Sequence, residues 1–119
     1  MTKSTFKDIS AEAIDAIALR FRALGEVNRL YIIRALQSGE KSVTDIVKIT
    51  GLSQPNVSRH LSVLVTAGIV GRRKDGLSVF YRVIDKNMTE VCAVVCRVAA
   101  AESARKAQQL RKTVNKISS

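Results

Sequence analysis

Several kinds of residue are scarce in this 119-residue chain, and each scarcity closes off a class of function. Two cysteines are too few for the disulfide framework of a small secreted domain. One histidine, His60, leaves no set of imidazoles for a zinc site, which takes about four nitrogen, sulfur or carboxylate ligands. The longest apolar run, Val91 to Cys96, falls far short of the roughly 20 residues that cross a bilayer. Residues Met1 to Ile14 alternate polar and apolar, so no secretory signal is visible and a cytoplasmic, soluble protein is expected. There is no phosphate-binding glycine loop, nucleophile elbow or paired acid–base set, so an enzyme is not expected. Acids are also scarce. Ten Asp and Glu face 20 Lys and Arg, for a net charge of +10. That sign favours a polyanion, either nucleic acid or an anionic membrane surface, and does not choose between them.

What is present is a foldable chain. Hydrophobic residues make up 46%, too many for a disordered tail, and the length suits one domain with a single core.

The organising stretch runs over 42–68. Ser42 followed by Asp45 has the form of a capping box, and Val43, Ile46, Val47 and Ile49 give an apolar stripe over two turns. Gly51 then stands where a helix must stop. Ser53 suits the N-cap of a second helix, and Pro55 falls in its first turn, where a missing N–H costs nothing. Val57, Leu61 and Leu64 recur at i, i+4 and i+7 and face inward, with Gly68 ending the helix. The opposite face carries Pro55, Arg59, Ser62 and Thr66, flanked by Gln54, Asn56 and Ser58. Arginine can pair bidentately with guanine, and Asn or Gln with adenine, so this face suits base edges. The bland alternative is an ordinary solvated helix surface.

Residues 69–84 read as a β-hairpin around the pair Asp75 and Gly76, a strong hairpin signal. Arg72, Arg73 and Lys74 precede that turn without being needed to close it. Phosphates or a narrow minor groove lie where such a wing reaches. Val79, Tyr81 and Val83 are expected on one face of the returning strand, with Ser78, Phe80 and Arg82 on the other.

Together these segments resemble the ArsR/SmtB family of bacterial transcriptional regulators over about residues 10–100. The resemblance rests on Leu24 to Leu30, Ser42 to Ile46, Leu52 to Leu61, Leu64 to Val70 and the arginine-rich wing ending at Val83. It implies a winged helix-turn-helix, mainly α with a small β-hairpin, and a homodimeric repressor released from its operator by a small inducer or metal. On that reading Ser53, Gln54, Asn56, Ser58, Arg59, His60, Ser62, Arg72, Arg73 and Lys74 contact double-stranded DNA. His60 lies toward the buried edge of its helix, where packing or a phosphate contact is favoured over metal ligation. The family's metal-binding Cys-x-Cys pair has no counterpart in Val43 to Thr50, nor is its Asp/His set present on the last helix, so neither a metal nor a cofactor is expected. Two departures stand out: Glu26, Val27 and Asn28 replace a frequent Asp-Pro-Thr, and Leu77 stands where a cation is common.

The flanks complete the outline. Residues 1–8 read as a flexible tail. The helix over 9–24 is capped by Ser10, with Phe21 anchoring its apolar stripe. A second helix over about 26–38 turns Leu30, Ile33 and Leu36 inward, with Arg29 in a surface ion pair. The last helix, 88–112, is apolar on more than one face in its first half, so it is expected to meet another copy. An isologous dimer formed through 9–24 and 88–112 would set two recognition helices about 34–36 Å apart. A basic, frayed tail follows over 113–119. From Arg97 onward Arg97, Arg105, Lys106, Arg111, Lys112 and Lys116 face only Glu102, and this segment either touches phosphates or is simply solvated.

Cys92 and Cys96 are one helical turn apart. They could bind a soft ion such as As(III) or Cu(I), or respond to oxidant, as effector-sensing thiols. A bridge within the helix would be strained, because such Cβ atoms lie about 5–6 Å apart and a disulfide needs about 3.5–4.5 Å. The alternative is two small core residues in a constitutive or nucleoid-type DNA-binding protein.

Overall fold

The computed structural model describes residues 6–118. A short 3-10 turn, Phe6–Asp8, occupies part of the expected N-terminal tail, whose first five residues lie outside the described ones. Then follow α1 (Ala11–Leu24), α2 (Val27–Leu36), β1 (Lys41–Ser42), α3 (Val43–Thr50), α4 (Gln54–Thr66), β2 (Val70–Asp75), β3 (Ser78–Val83) and α5 (Lys86–Ser118). Two compact units result, one ending at Lys86 and one beginning at Asn87. The second is α5 itself, which continues past the expected end near Lys112.

Local chemistry sets most boundaries. Ser10 Oγ accepts from the Ala13 N–H at the start of α1. Ser42 and Asp45 close the reciprocal capping box on α3: each side chain accepts from the other's backbone N–H, at 3.1 and 3.2 Å. Gly51 ends α3 at φ 75°, a left-handed conformation that a side chain would resist.

The core of the first unit lies where α2, α3 and α4 meet the base of the hairpin. Ile32, Ile46, Val57, Leu61, Leu64, Ile69 and Val70 are all buried there. Burying a side chain of this size contributes about 1.5–3 kcal/mol, so these residues decide how α4 is seated.

Two residues of α1 and α2 expected in the core are not in it. Phe21 is 52% exposed and Leu30 43% exposed, while Ile32, off the expected face, is fully buried. Helix α1 turns Ala23 and Leu24 inward at its C-terminal end, and its aromatic residue points outward. Ile49 of α3 is also exposed.

The hairpin gains a third strand in the order β1-β3-β2, all antiparallel. Arg72 pairs with Tyr81, Arg73 with Phe80, and Lys74 with Val79. Asp75 pairs with Ser78, so the two loop residues are Gly76 and Leu77 rather than Asp75 and Gly76. Gly76 has φ 62°, and no non-glycine residue among those described has positive φ. A left-handed first loop residue alone is the type II′ pattern, which requires glycine at that position.

Candidate nucleic-acid interface

Helix α4 is built with two unlike faces. Ser53 Oγ caps it by accepting from the Asn56 N–H, and Pro55 occupies the first turn. Val57, His60, Leu61 and Leu64 are buried. On the other side Ser53, Gln54, Pro55, Ser58, Arg59 and Ser62 are exposed and Asn56 is half-buried. One bond organises this face: Arg59 Nη2 donates to Asn56 Oδ1 at 3.0 Å. A guanidinium only donates, so the amide oxygen must face Arg59 and the amide N–H groups are left outward. Two groups that can read bases are thereby held side by side.

His60 is not on that face. The residue is 5% exposed, with Nδ1 3.3 Å from Arg29 Nη1 and Nε2 3.7 Å from a Glu26 carboxylate oxygen. A side chain so enclosed does not reach a phosphate, which corrects its place among the expected DNA contacts. Arg29 differs from expectation as well. It bonds the carbonyls of Ala23 and Arg22 at the end of α1, together with His60, rather than forming a surface ion pair.

The wing's cations divide by strand alternation. Arg72 and Lys74 are exposed on the face shared with Tyr81 and Val79, and neither forms an ion pair among the described residues. Arg73 points the other way. Its Nε and Nη2 donate to the two carboxylate oxygens of Glu40 at 3.0 and 2.6 Å, Asp75 lies 3.5 Å away, and its guanidinium sits 5.1 Å from the Phe80 ring centre. The hydrogen bond from Arg73 is the largest cause holding the Glu40 carboxyl below the usual glutamate range. Of these three consecutive cations, two are therefore left unpaired. Sequence reading misses Glu40 because it lies 33 residues from Arg73.

In α5, considered alone, Cys96 is exposed and Cys92 is half-buried. Desolvation, and secondarily the neighbouring Cys96, pushes the Cys92 thiol above its ordinary pKa. No group of three or more His, Cys, Asp or Glu side chains among the described residues is arranged to hold a metal. No helix among them is long and apolar enough to cross a membrane.

The profile described as "bacterial regulatory protein, arsR family" matches residues 26–71, which span α2 to the start of the wing. The "probable mercury resistance operon repressor" of Streptomyces lividans is 38% identical over 90 residues, covering 76% of this chain and 71% of that protein. The chain belongs to the ArsR family. An uncharacterized HTH-type transcriptional regulator of Methanocaldococcus jannaschii is 35% identical over 85 residues, covering 71% of this chain and 96% of its own length. Among solved structures, the homodimeric winged helix-turn-helix DNA-binding domain of a Mycobacterium bovis protein superposes with a TM-score of 0.71 at 28% identity. It covers 86% of this chain and 93% of that one. ArsR-family proteins are DNA-binding transcriptional regulators and not enzymes, and the five helices and three-stranded sheet found here are the winged helix-turn-helix of that family.

Proposed function

We propose that two copies of this ArsR-family chain bind one DNA duplex as a cytoplasmic repressor, each laying α4 in the major groove. The observation that carries the reading is the contrast across α4: a fully buried apolar side and an exposed side of Ser, Gln, Asn and Arg. Gln54, Asn56 and Arg59 meet base edges, while Ser53, Ser58 and Ser62 meet phosphates. Arg72 and Lys74 meet the backbone or minor groove beside each half-site, with Arg73 behind them. Exposed Ile14, Leu19 and Phe21 on α1, and Val91, Val94, Val95 and Val98 on α5, supply apolar surface for the seam between copies. The homodimeric Mycobacterium bovis relative supports that assembly.

The inducer in this reading is a thiophilic ion or oxidant acting at Cys92 and Cys96. Two thiols one turn apart suit a soft ion, and the Streptomyces lividans relative is described as serving mercury resistance. Because the Cys92 thiol holds its proton more tightly than usual, ion binding must release that proton, so affinity for the ion should rise with pH.

Selection of bound sequences from random DNA tests the first part. The expected product is a two-fold symmetric site with half-sites about one helical turn apart. A flat sequence profile would favour the constitutive or nucleoid-type alternative, in which the cysteines are core residues. Mercuric or arsenite salts should then release the selected DNA from wild type but not from a Cys92→Ser, Cys96→Ser double variant. Equal release from both proteins sinks the sensing role.

A further inference from the structure

The one buried polar side chain among the described residues is on the recognition helix, and reading bases gives it no work. A guanidinium only donates, so in the contact with Arg29 the Nδ1 of His60 is the acceptor and the ring hydrogen sits on Nε2. Nε2 lies 3.7 Å from a Glu26 carboxylate oxygen, beyond hydrogen-bond reach, and its hydrogen has no hydrogen-bond partner. Arg29 meanwhile donates through Nε to the Ala23 carbonyl and through Nη2 to the Arg22 carbonyl, two of the last carbonyls of α1. Glu26 accepts from the Arg29 backbone N–H and so caps α2. A single arginine side chain thus joins the end of α1, the start of α2 and the middle of α4.

We propose that Arg29, with His60 and Glu26, is a set of positioning residues that fixes the rotation of α4 against α1. Apolar contacts around Leu61 and Leu64 hold the helix down, but they are non-directional and tolerate a small turn about its axis. Hydrogen bonds are directional, and a connected set of them specifies one arrangement. His60 follows Arg59 directly, so whatever sets the angle of one sets the angle of the other. The inference rests on the dimer reading above. If α1 lies in the seam between copies, this knot transmits the geometry of the seam to the two base-reading faces. It therefore sets the half-site separation the dimer accepts.

Two measurements test this, and the first does not depend on the dimer reading. His60 is the only histidine, so nitrogen NMR of the histidine-labelled chain reports one ring. The expected spectrum has Nε2 protonated and Nδ1 bare; a proton on Nδ1 would overturn the proposal, because Arg29 could not donate there. The second measures binding to a series of duplexes in which the selected half-sites are kept and their separation is changed by one or two base pairs. Wild type should prefer one separation by about tenfold, the scale of one mismatched base pair. Arg29→Met and His60→Leu should flatten that preference, while His60→Asn, whose amide oxygen can still accept, should retain most of it. If Arg29→Met does not fold, Arg29→Lys, which keeps only some of the donors, should show partial flattening. Variants weakened by the same factor at every separation would show a merely structural role and overturn the proposal alone. Wild type without a preferred separation would overturn it together with the two-fold reading.

Discussion

The recognition helix and the wing both carry cations and polar groups outward, yet they present them in opposite ways. On α4 the outward side chains belong to one face of a helix whose other face is sealed by Val57, Leu61 and Leu64. Its single arginine is steadied by a neighbour three residues away and keeps its charge available. On the wing, three consecutive cations look like one patch in the sequence, but a strand alternates faces, so Arg73 leaves the other two and is neutralised by Glu40. A run of charge is a patch only if the backbone keeps it on one side.

The largest expected effects lie under the helix. Leu61→Ala removes a fully buried side chain from beneath α4 and should cost about 2–5 kcal/mol in denaturant unfolding. Leu77→Ser at the exposed wing tip should stay within about 0.5 kcal/mol. Similar losses at the two sites would erase the distinction between a seated helix and an unsupported hairpin tip. Next comes Arg59→Ala. It should weaken binding to the selected site by about 1–3 kcal/mol and relax preference at one base pair. Equal weakening on every sequence would make Arg59 a backbone contact, no different in kind from the wing.

The same contrast explains what is legible in the sequence. The capping box, the stop at Gly51 and the inward triad of α4 are local, since every partner lies within a helical turn or two, and periodicity reveals them. Periodicity misplaces Phe21 and Leu30 because apolar character marks a side chain that resists water without saying which surface will cover it. The strand β1 is two residues long and exists only through pairing with Tyr81 and Phe80, so nothing at Lys41 and Ser42 signals it. Glu40 with Arg73, and Arg29 with His60, are likewise joined by the fold across 33 and 31 residues. In the candidate site, the sequence therefore shows which residues are polar and outward, but not which charges are already paired.

A smaller effect separates the cations within the wing. Changing both Arg72 and Lys74 to Ala should make the salt dependence of binding shallower by about 0.9 for each phosphate no longer neutralised, on every sequence alike. Arg73→Ala should leave the slope nearly unchanged, since its charge is already neutralised by Glu40. A change of slope in Arg73→Ala about half that of the double variant would mean that all three cations reach DNA after all.

The smallest change expected is a gain. Glu40→Gln takes the bidentate acceptor from Arg73 and leaves it only the longer Asp75 contact and the Phe80 ring, so the guanidinium is freer to turn toward the duplex. Binding should tighten, and its salt slope should steepen by up to about 0.9 for each wing whose Arg73 finds a phosphate. Acid should do the same to the wild type. The carboxyl of Glu40 is held below its ordinary range in the folded chain, chiefly by the Arg73 hydrogen bond, so the pair is intact at neutral pH. The stability it contributes is fully present above the unfolded glutamate value and is lost only as pH falls through the lower folded one. Over that acidic window the affinity of wild type should converge on that of Glu40→Gln, provided both remain folded by circular dichroism. A constant ratio between the two proteins across the window would mean that Arg73 faces away from DNA even when unpaired. Strand alternation alone, without Glu40, would then account for its absence from the interface.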